Sequence, residues 1–412
     1  MRYSFERRRR PCAGVAALGL FVVPLGAGAA VAVEPPGPVA AYATSAAAGD
    51  FPELTPAVAA ELDAAVQDVM RDAKVPGVMV ALSAPGKGTY LRSFGVSDKQ
   101  TGAAMNPGLF MRIGSETKTF TVTALLQLVD EGKVGLDDPI SEYVDGVPSG
   151  DRITLRNLAA MRSGLFNYSA DEGFFKALTS NPGRQWTPQE VLAYSFKHPV
   201  QFAPGEEFQY SNTNTVLLGL VVEKVSGMPL DEYVTKKVSV PAGLKHTVFP
   251  TDASFPSPHA HGYTEQTASG AVEDATDWNP SWGWAAGAMI SDLRDMRTWA
   301  KVLATGTLLS PETQAERLKV YPSAPDGSGY GLGLFDIAGW IGHNGSLPGY
   351  QSLTIYLPES EATLVVLLNS DVTKDGTAPS TLFGKAITEI VTPDHVYEIP
   401  AAPAAQPTSG ES

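Results

Sequence analysis

Cysteine is nearly absent: Cys12 is the one thiol in 412 residues. It follows Arg10 and Pro11, which is not the setting of a lipid-attachment cysteine. A chain cut after its first 32 residues carries no thiol. That excludes a cysteine nucleophile, a thiolate metal site and a structural disulfide together. Positive charge is also scarce, with 30 Lys and Arg against 44 Asp and Glu and a net charge of −14. Such a balance offers little to neutralise nucleic-acid phosphates and no polybasic dock for anionic membranes. Three catalytic signatures are missing as well: a G-x-S-x-G elbow, an H-E-x-x-H pair and a phosphate-binding glycine loop. His259 and His261 lack neighbouring cysteine or acidic ligands in sequence and read as a loop.

What the sequence does have begins with an export signal. A basic stretch ends at Arg10, an apolar run starts near Ala13, and Ala30-Val31-Ala32 offers a small-residue cleavage site. The apolar run is rich in Gly and Ala and is interrupted by Pro24, so residues 1–32 read as a removable signal rather than a spanning helix. The mature protein is expected outside the cytoplasm, without stable membrane insertion. Residues 33–52 are rich in Pro, Ala and Gly and read as a linker, and residues 396–412 read as a disordered tail.

The body, residues 53–395, has strand patterns at both ends and helical periodicity between them. A helix over Pro56–Ala73 precedes two strands, Gly77–Leu82 and Tyr90–Val96, joined through Pro85-Gly86-Lys87-Gly88 as in a hairpin. Helical spacing follows over Thr121–Glu131, Leu217–Val225 and Met296–Leu303. Strands return at Gly331–Ile337, Trp340–His343, Gln351–Leu357 and Thr363–Asn369, before a last helix over Ser380–Ile390. The expected class is α+β: an antiparallel sheet built from both chain ends and flanked by helices, with a mostly helical lobe inserted. The sheet lobe covers about 53–114 and 301–395, and the helical lobe about 115–300. No coiled-coil or strongly apolar stripe stands out, so a monomer is expected.

Three short motifs carry candidate chemistry. Ser115-Glu116-Thr117-Lys118 is an S-x-x-K at the start of an amphipathic helical pattern. Residues three apart share a helix face, so the Lys118 amine can reach the Ser115 hydroxyl and act as its base if burial disfavours the ammonium. In Tyr210-Ser211-Asn212 the phenol can relay a proton and the amide can bind a substrate amide. In His343-Asn344-Gly345-Ser346, after a strand, His343 can present an imidazole. There Gly345 admits a close backbone approach, and the Ser346 amide can donate to an oxyanion. Taken singly, each also fits a structural role, whether a surface pair in a first helical turn, a packed aromatic before an N-cap or a strand-end turn.

Order and spacing single out one family. S-x-x-K, then Y-x-N, then H-x-G late in the chain resembles the penicillin-recognising serine hydrolases. The nearest likeness is to the class C β-lactamase branch and its soluble D-alanyl-D-alanine carboxypeptidases. Further matching stretches are Leu126–Lys133, Arg162-Ser163-Gly164-Leu165, Ala286-Gly287-Ala288, Tyr330-Gly331-Leu332-Gly333-Leu334 and Gly342-His343-Asn344-Gly345, together spanning about residues 52–395. The resemblance implies that Ser115 forms an acyl-enzyme, with Lys118 and Tyr210 taking its proton and Tyr210 protonating the leaving group. It further implies that Asn212 holds the substrate amide and that the Ser115 and Ser346 amides form the oxyanion hole. Trp282, in the aromatic segment Trp278–Trp284, resembles a cleft-lining residue, with Trp284 as the nearby second candidate. No metal or organic cofactor is implied. The substrates implied are peptidoglycan-type peptides, esters or β-lactams, with D,D-carboxypeptidase the first expectation and a β-lactamase or carboxylesterase the second. A non-hydrolytic penicillin-binding module is the reading from another class. One residue departs from the pattern: Phe335 stands where the carboxypeptidases carry an arginine for the substrate's terminal carboxylate. An apolar ring gives a carboxylate no compensating charge, so recognition of a free D-Ala terminus is expected to weaken or move elsewhere.

Overall fold

The computed structural model describes residues 51–322 and 328–399. The signal, nearly all of the linker and the end of the tail lie outside them.

Helix α1 (Pro56–Asp72) starts where Thr55 Oγ1 accepts from Val58 N and a proline occupies the first turn. Strands β1 (Gly77–Ala84) and β2 (Gly88–Gly95) form the expected hairpin. The remaining strands of the main sheet come from the C-terminal third. They are β3 (Tyr321–Pro322), β4 (Gly329–Tyr330), β5 (Phe335–Ile337), β6 (Trp340–Leu347), β7 (Tyr350–Leu357) and β8 (Ala362–Leu368). Their order is β2-β1-β8-β7-β6-β5-β4-β3, antiparallel throughout, with Val80 opposite Val366 at the seam between the chain ends. Alternation along β1 explains the layers. Val78, Val80 and Leu82 belong to one buried cluster with Leu62 and Val66 of α1 and Phe383 and Ile387 of α5 (Pro379–Val391). Met79 and Ala81 belong to the other cluster, with α2 (Thr117–Asp130) and α4 (Leu293–Thr305). The helical lobe includes α3 (Asn212–Ser226) and several shorter helices. Among the described residues no helix is long and apolar enough to cross a membrane.

Four details differ from the sequence reading. Helix α2 starts at Thr117, inside the S-x-x-K motif, and it is buried on nearly every side rather than amphipathic, because other helices pack around it, α3 and α4 among them. The stretch Gly331–Leu334 is not strand. Leu332 N donates to Arg317 O and Gly333 N to Ala159 O, so these amides hold other segments instead of a neighbouring strand. His343-Asn344-Gly345-Ser346 lies inside β6, not after it. The packed body is also wider than residues 53–395: Phe51 is 2% exposed and Tyr397 1%, with Tyr397 N donating to Thr388 Oγ1 at 2.9 Å.

Candidate active site

The nucleophile candidate sits in a tight 3-10 turn, Gly114–Glu116, that feeds α2. Gly114 has φ +54°, and a Cβ there falls 2.7 Å from Ser346 N, so only glycine lets this turn lie against β6. Thr117 fixes the turn from below, its hydroxyl donating to Gly114 O at 2.7 Å and accepting from Met289 N at 3.1 Å. Thr119, Thr121 and Thr123 donate to Glu116 O, Ala285 O and Thr119 O, which is how a helix with a threonine at every second position is buried without orphan hydroxyls. Phe120 stacks on Trp299 with ring centroids 3.9 Å apart, locking α2 to α4.

Lys118 is fully buried. Its Nζ lies 3.0 Å from Ser115 Oγ, 2.7 Å from Asn212 Oδ1 and 2.7 Å from Ala286 O. Burial drives its pKa well below the ordinary lysine range. A neutral amine fits these partners: Asn212 Oδ1 and Ala286 O accept its two N–H bonds, and its lone pair is left for the Ser115 proton.

Tyr210 closes the other side, with Lys118 Nζ 4.9 Å from its ring centroid. Burial raises the phenol far above its usual range while the Ser115 hydroxyl pulls it down, so it stays protonated and aimed at the nucleophile. Its hydroxyl is buried and faces the Ser115 hydroxyl without a hydrogen bond of ordinary geometry to any described residue. The segment around it is set by the Arg162-Ser163-Gly164-Leu165 stretch. Gln209 N donates to Met161 O at 2.9 Å, and Ser163 Oγ donates to Asn214 Oδ1 at 2.5 Å.

Asn212 has a role beyond the one the sequence suggests. Its Oδ1 accepts from Lys118, its Nδ2 donates to Ser169 Oγ at 3.0 Å, and its backbone N donates to Asn167 Oδ1 at 3.1 Å. It therefore orients the amine, and sequence reading missed the two residues that orient it. The N-cap signature of Asn167, which accepts from Ser169 N, was the signal available.

His343 differs from expectation too. It is 1% exposed and does not offer a free imidazole to the cleft. Nδ1 donates to Asn344 O, which can only accept, and Nε2 accepts from Tyr330 Oη at 3.1 Å. Burial, then the nearby Lys118, pushes its pKa down to about 3, so the ring is neutral. Gly345 serves the protein's own packing: a Cβ there falls 2.0 Å from Ile113 O and 2.5 Å from Ser352 Oγ, so β6 can lie on the nucleophile turn only without one.

Phe335 is 7% exposed and belongs to an aromatic wall beside the nucleophile. Its ring is parallel to Tyr210 at 6.4 Å, edge-on to Tyr330 at 4.7 Å and 4.9 Å from His343. The nearby arginines have other partners: Arg162 donates to the Gly205 and Glu206 carbonyls, and Arg317 to Thr123 Oγ1 and Thr119 O. Trp282 is a core residue, 4% exposed and 5.9 Å from Phe174, with its carbonyl accepting from Tyr168 Oη. Trp284 is half-buried and packs over Gly219. His259 stacks on Phe255, and His261 Nδ1 lies 2.8 Å from Asp274 Oδ2.

These residues fall within a recognised family model. The Beta-lactamase model matches residues 62–382. The putative penicillin-binding protein PbpX of Bacillus subtilis (strain 168) is 26% identical over 314 residues, 74% of this chain and 75% of that one. Protein flp of Staphylococcus aureus (strain MW2) is 26% identical over 325 residues, and the match spans 75% of this chain but 62% of flp. Among solved structures, a D-stereospecific amidohydrolase from Streptomyces sp. superposes with a TM-score of 0.72 at 31% identity, over 81% of this chain and 98% of that one. The D-amino acid amidase of Ochrobactrum anthropi SV3 complexed with D-phenylalanine gives a TM-score of 0.70 at 30% identity, over 81% and 99%.

Proposed function

The chain belongs to the beta-lactamase family of serine hydrolases, and from that premise we propose that it is an exported acyl-enzyme hydrolase whose substrate carries a neutral leaving group. The favoured substrate is an amide or ester of a D-amino acid, ahead of a peptide ending in a free carboxylate. One observation carries this reading: the wall beside Ser115 and Tyr210 consists of Phe335, Tyr330 and a neutral His343. A carboxylate brought against that wall loses its water and meets no uncommitted cation among the described residues, a cost of several kcal/mol. Lys118 cannot serve it, because its nitrogen is already shared among Ser115, Asn212 and Ala286 O. The likeness to the amidohydrolase of Streptomyces and the amidase of Ochrobactrum anthropi points the same way.

In the proposed mechanism the Ser115 Oγ–H proton passes to Lys118 Nζ as Oγ attacks the carbonyl carbon. The backbone amides of Ser115 and Ser346 receive the oxyanion. As the tetrahedral intermediate collapses, Tyr210 gives its proton to the leaving nitrogen or oxygen and is reprotonated from Lys118. Water then attacks the acyl-enzyme with the same groups in reverse. The protein is further proposed to act outside the cytoplasm as a monomer.

The test is a matched pair, an acyl-D-Ala-D-Ala peptide and its C-terminal amide, with Ser115→Ala alongside. The amide is expected to have at least tenfold higher kcat/KM, and Ser115→Ala to abolish both reactions. Preference for the free acid would overturn the neutral-leaving-group reading and restore the carboxypeptidase.

A further inference from the structure

Directly after the nucleophile comes a carboxyl group that no step above uses. Glu116 shares the turn with Ser115 and is 1% exposed. It faces the hydroxyls of Ser352 and Thr354 on β7. Ser352 spends its own proton on Ile113 O at 2.9 Å, so toward Glu116 it offers only lone pairs. Glu116 Oε1 and Thr354 Oγ1 have no hydrogen-bond partner of ordinary geometry.

The titratable groups around it provide no counter-ion. Lys118, on the same helix, directs Nζ to Ser115, Asn212 and Ala286 O. Arg112, on the segment before the turn, donates to Thr276 O and Trp278 O. His343, opposite Thr354 across the β6–β7 pair, is neutral. Tyr397, from the C-terminal segment, is a buried phenol that a negative Glu116 only makes harder to ionise. Toward Ser352 Oγ a carboxylate faces only lone pairs, and no cation stands beside it among the described residues; a carboxylic acid supplies the donor that Ser352 lacks and leaves the free Thr354 hydroxyl to donate to its other oxygen.

We infer that Glu116 is a positioning residue that works as a neutral acid, donating its proton to Ser352 Oγ on β7 and clamping the nucleophile turn to the strands that carry Ser346. Loss of the proton to solvent breaks the bond to Ser352 and sets the carboxylate against the Ser352 lone pairs beneath the oxyanion hole. Burial supports this, pushing the Glu116 pKa up to about 8. The inference rests on Ser115 as nucleophile, and it adds an alkaline limb the proton relay alone does not give. Raising the pH makes Lys118 a better base, and the Tyr210 phenol stays protonated beyond the range in question.

The direct test is kcat/KM on a neutral ester between pH 7 and pH 9, for the wild type and Glu116→Gln. With the acid form active, the wild type is expected to lose about tenfold over that interval. Glu116→Gln keeps a donor that does not ionise and is expected to vary less than about twofold. An equal alkaline fall in both proteins overturns the inference. Infrared spectroscopy gives a readout that needs no turnover. A protonated-carboxyl band is expected at pH 7 in the wild type, fading by pH 9 and missing from Glu116→Gln. A difference spectrum showing Glu116 already ionised at pH 7 overturns the inference even if the ester and amide assays fail.

Discussion

Removing one oxygen from Tyr210 should make the protein more stable and nearly inactive. The hydroxyl is buried and faces Ser115, with no hydrogen bond of ordinary geometry to any described residue. An unpaired buried hydroxyl costs about 1–3 kcal/mol relative to water, and the ring itself is held by Phe335 and Tyr330. Tyr210→Phe keeps that ring packing and is expected to raise the unfolding free energy by about 1–2 kcal/mol in denaturant titrations. A positioned proton donor contributes about 10²–10⁴-fold, so kcat/KM should fall by that factor, equivalent to about 3–5 kcal/mol of transition-state stabilisation. The assay is paired: urea unfolding and ester hydrolysis on the same preparations. Unchanged hydrolysis would remove Tyr210 from the proton path. A loss of stability above about 1 kcal/mol would show that the hydroxyl has a structural partner, refuting the assignment of its free proton to catalysis.

Other outcomes follow from the same geometry. Phe335→Arg sets a cation in the aromatic wall and should raise the free-acid to amide ratio of kcat/KM by at least about tenfold, at a stability cost of several kcal/mol. Steady-state kinetics on the matched peptide pair and thermal unfolding check the two halves. Gly345→Ala drives a methyl into Ile113 O and Ser352 Oγ, and should cost about 1–3 kcal/mol in unfolding experiments and most of the activity. The acid limb of the pH–rate profile should lie well below the ordinary lysine range. Activity rises with pH as Lys118 loses its proton, and Lys118→Met should remove both the limb and at least about 10²-fold of the rate.

Much of the fold was legible because its signals are local. The β1–β2 hairpin, α1 and the strands β7 and β8 follow from alternation, turn residues and caps within a few residues of one another. The complete burial of α2 was not, since Thr117, Thr119, Thr121 and Thr123 alternate as in a strand, and only bonds to carbonyls and to residues 285 and 289 let a helix that carries them be buried all round. The stretch Gly331–Leu334 reads as strand until Arg317 and Ala159 claim its amides. At the site, the order of motifs pointed to Ser115, Lys118 and Tyr210, which the fold brings together. The roles of Asn212, His343 and Gly345 depend on partners such as Lys118, Tyr330 and Ile113 that local pattern does not reveal. Glu116 escaped notice because its meaning comes from β7, more than two hundred residues away in the chain.

The most direct test of the central claim is mass spectrometry of the protein quenched during turnover of a slow ester or amide. A covalent acyl group on the peptide containing Ser115 is expected, absent from Ser115→Ala, which should also fail to turn the substrate over. Turnover by Ser115→Ala, or an adduct on another residue, would contradict the account.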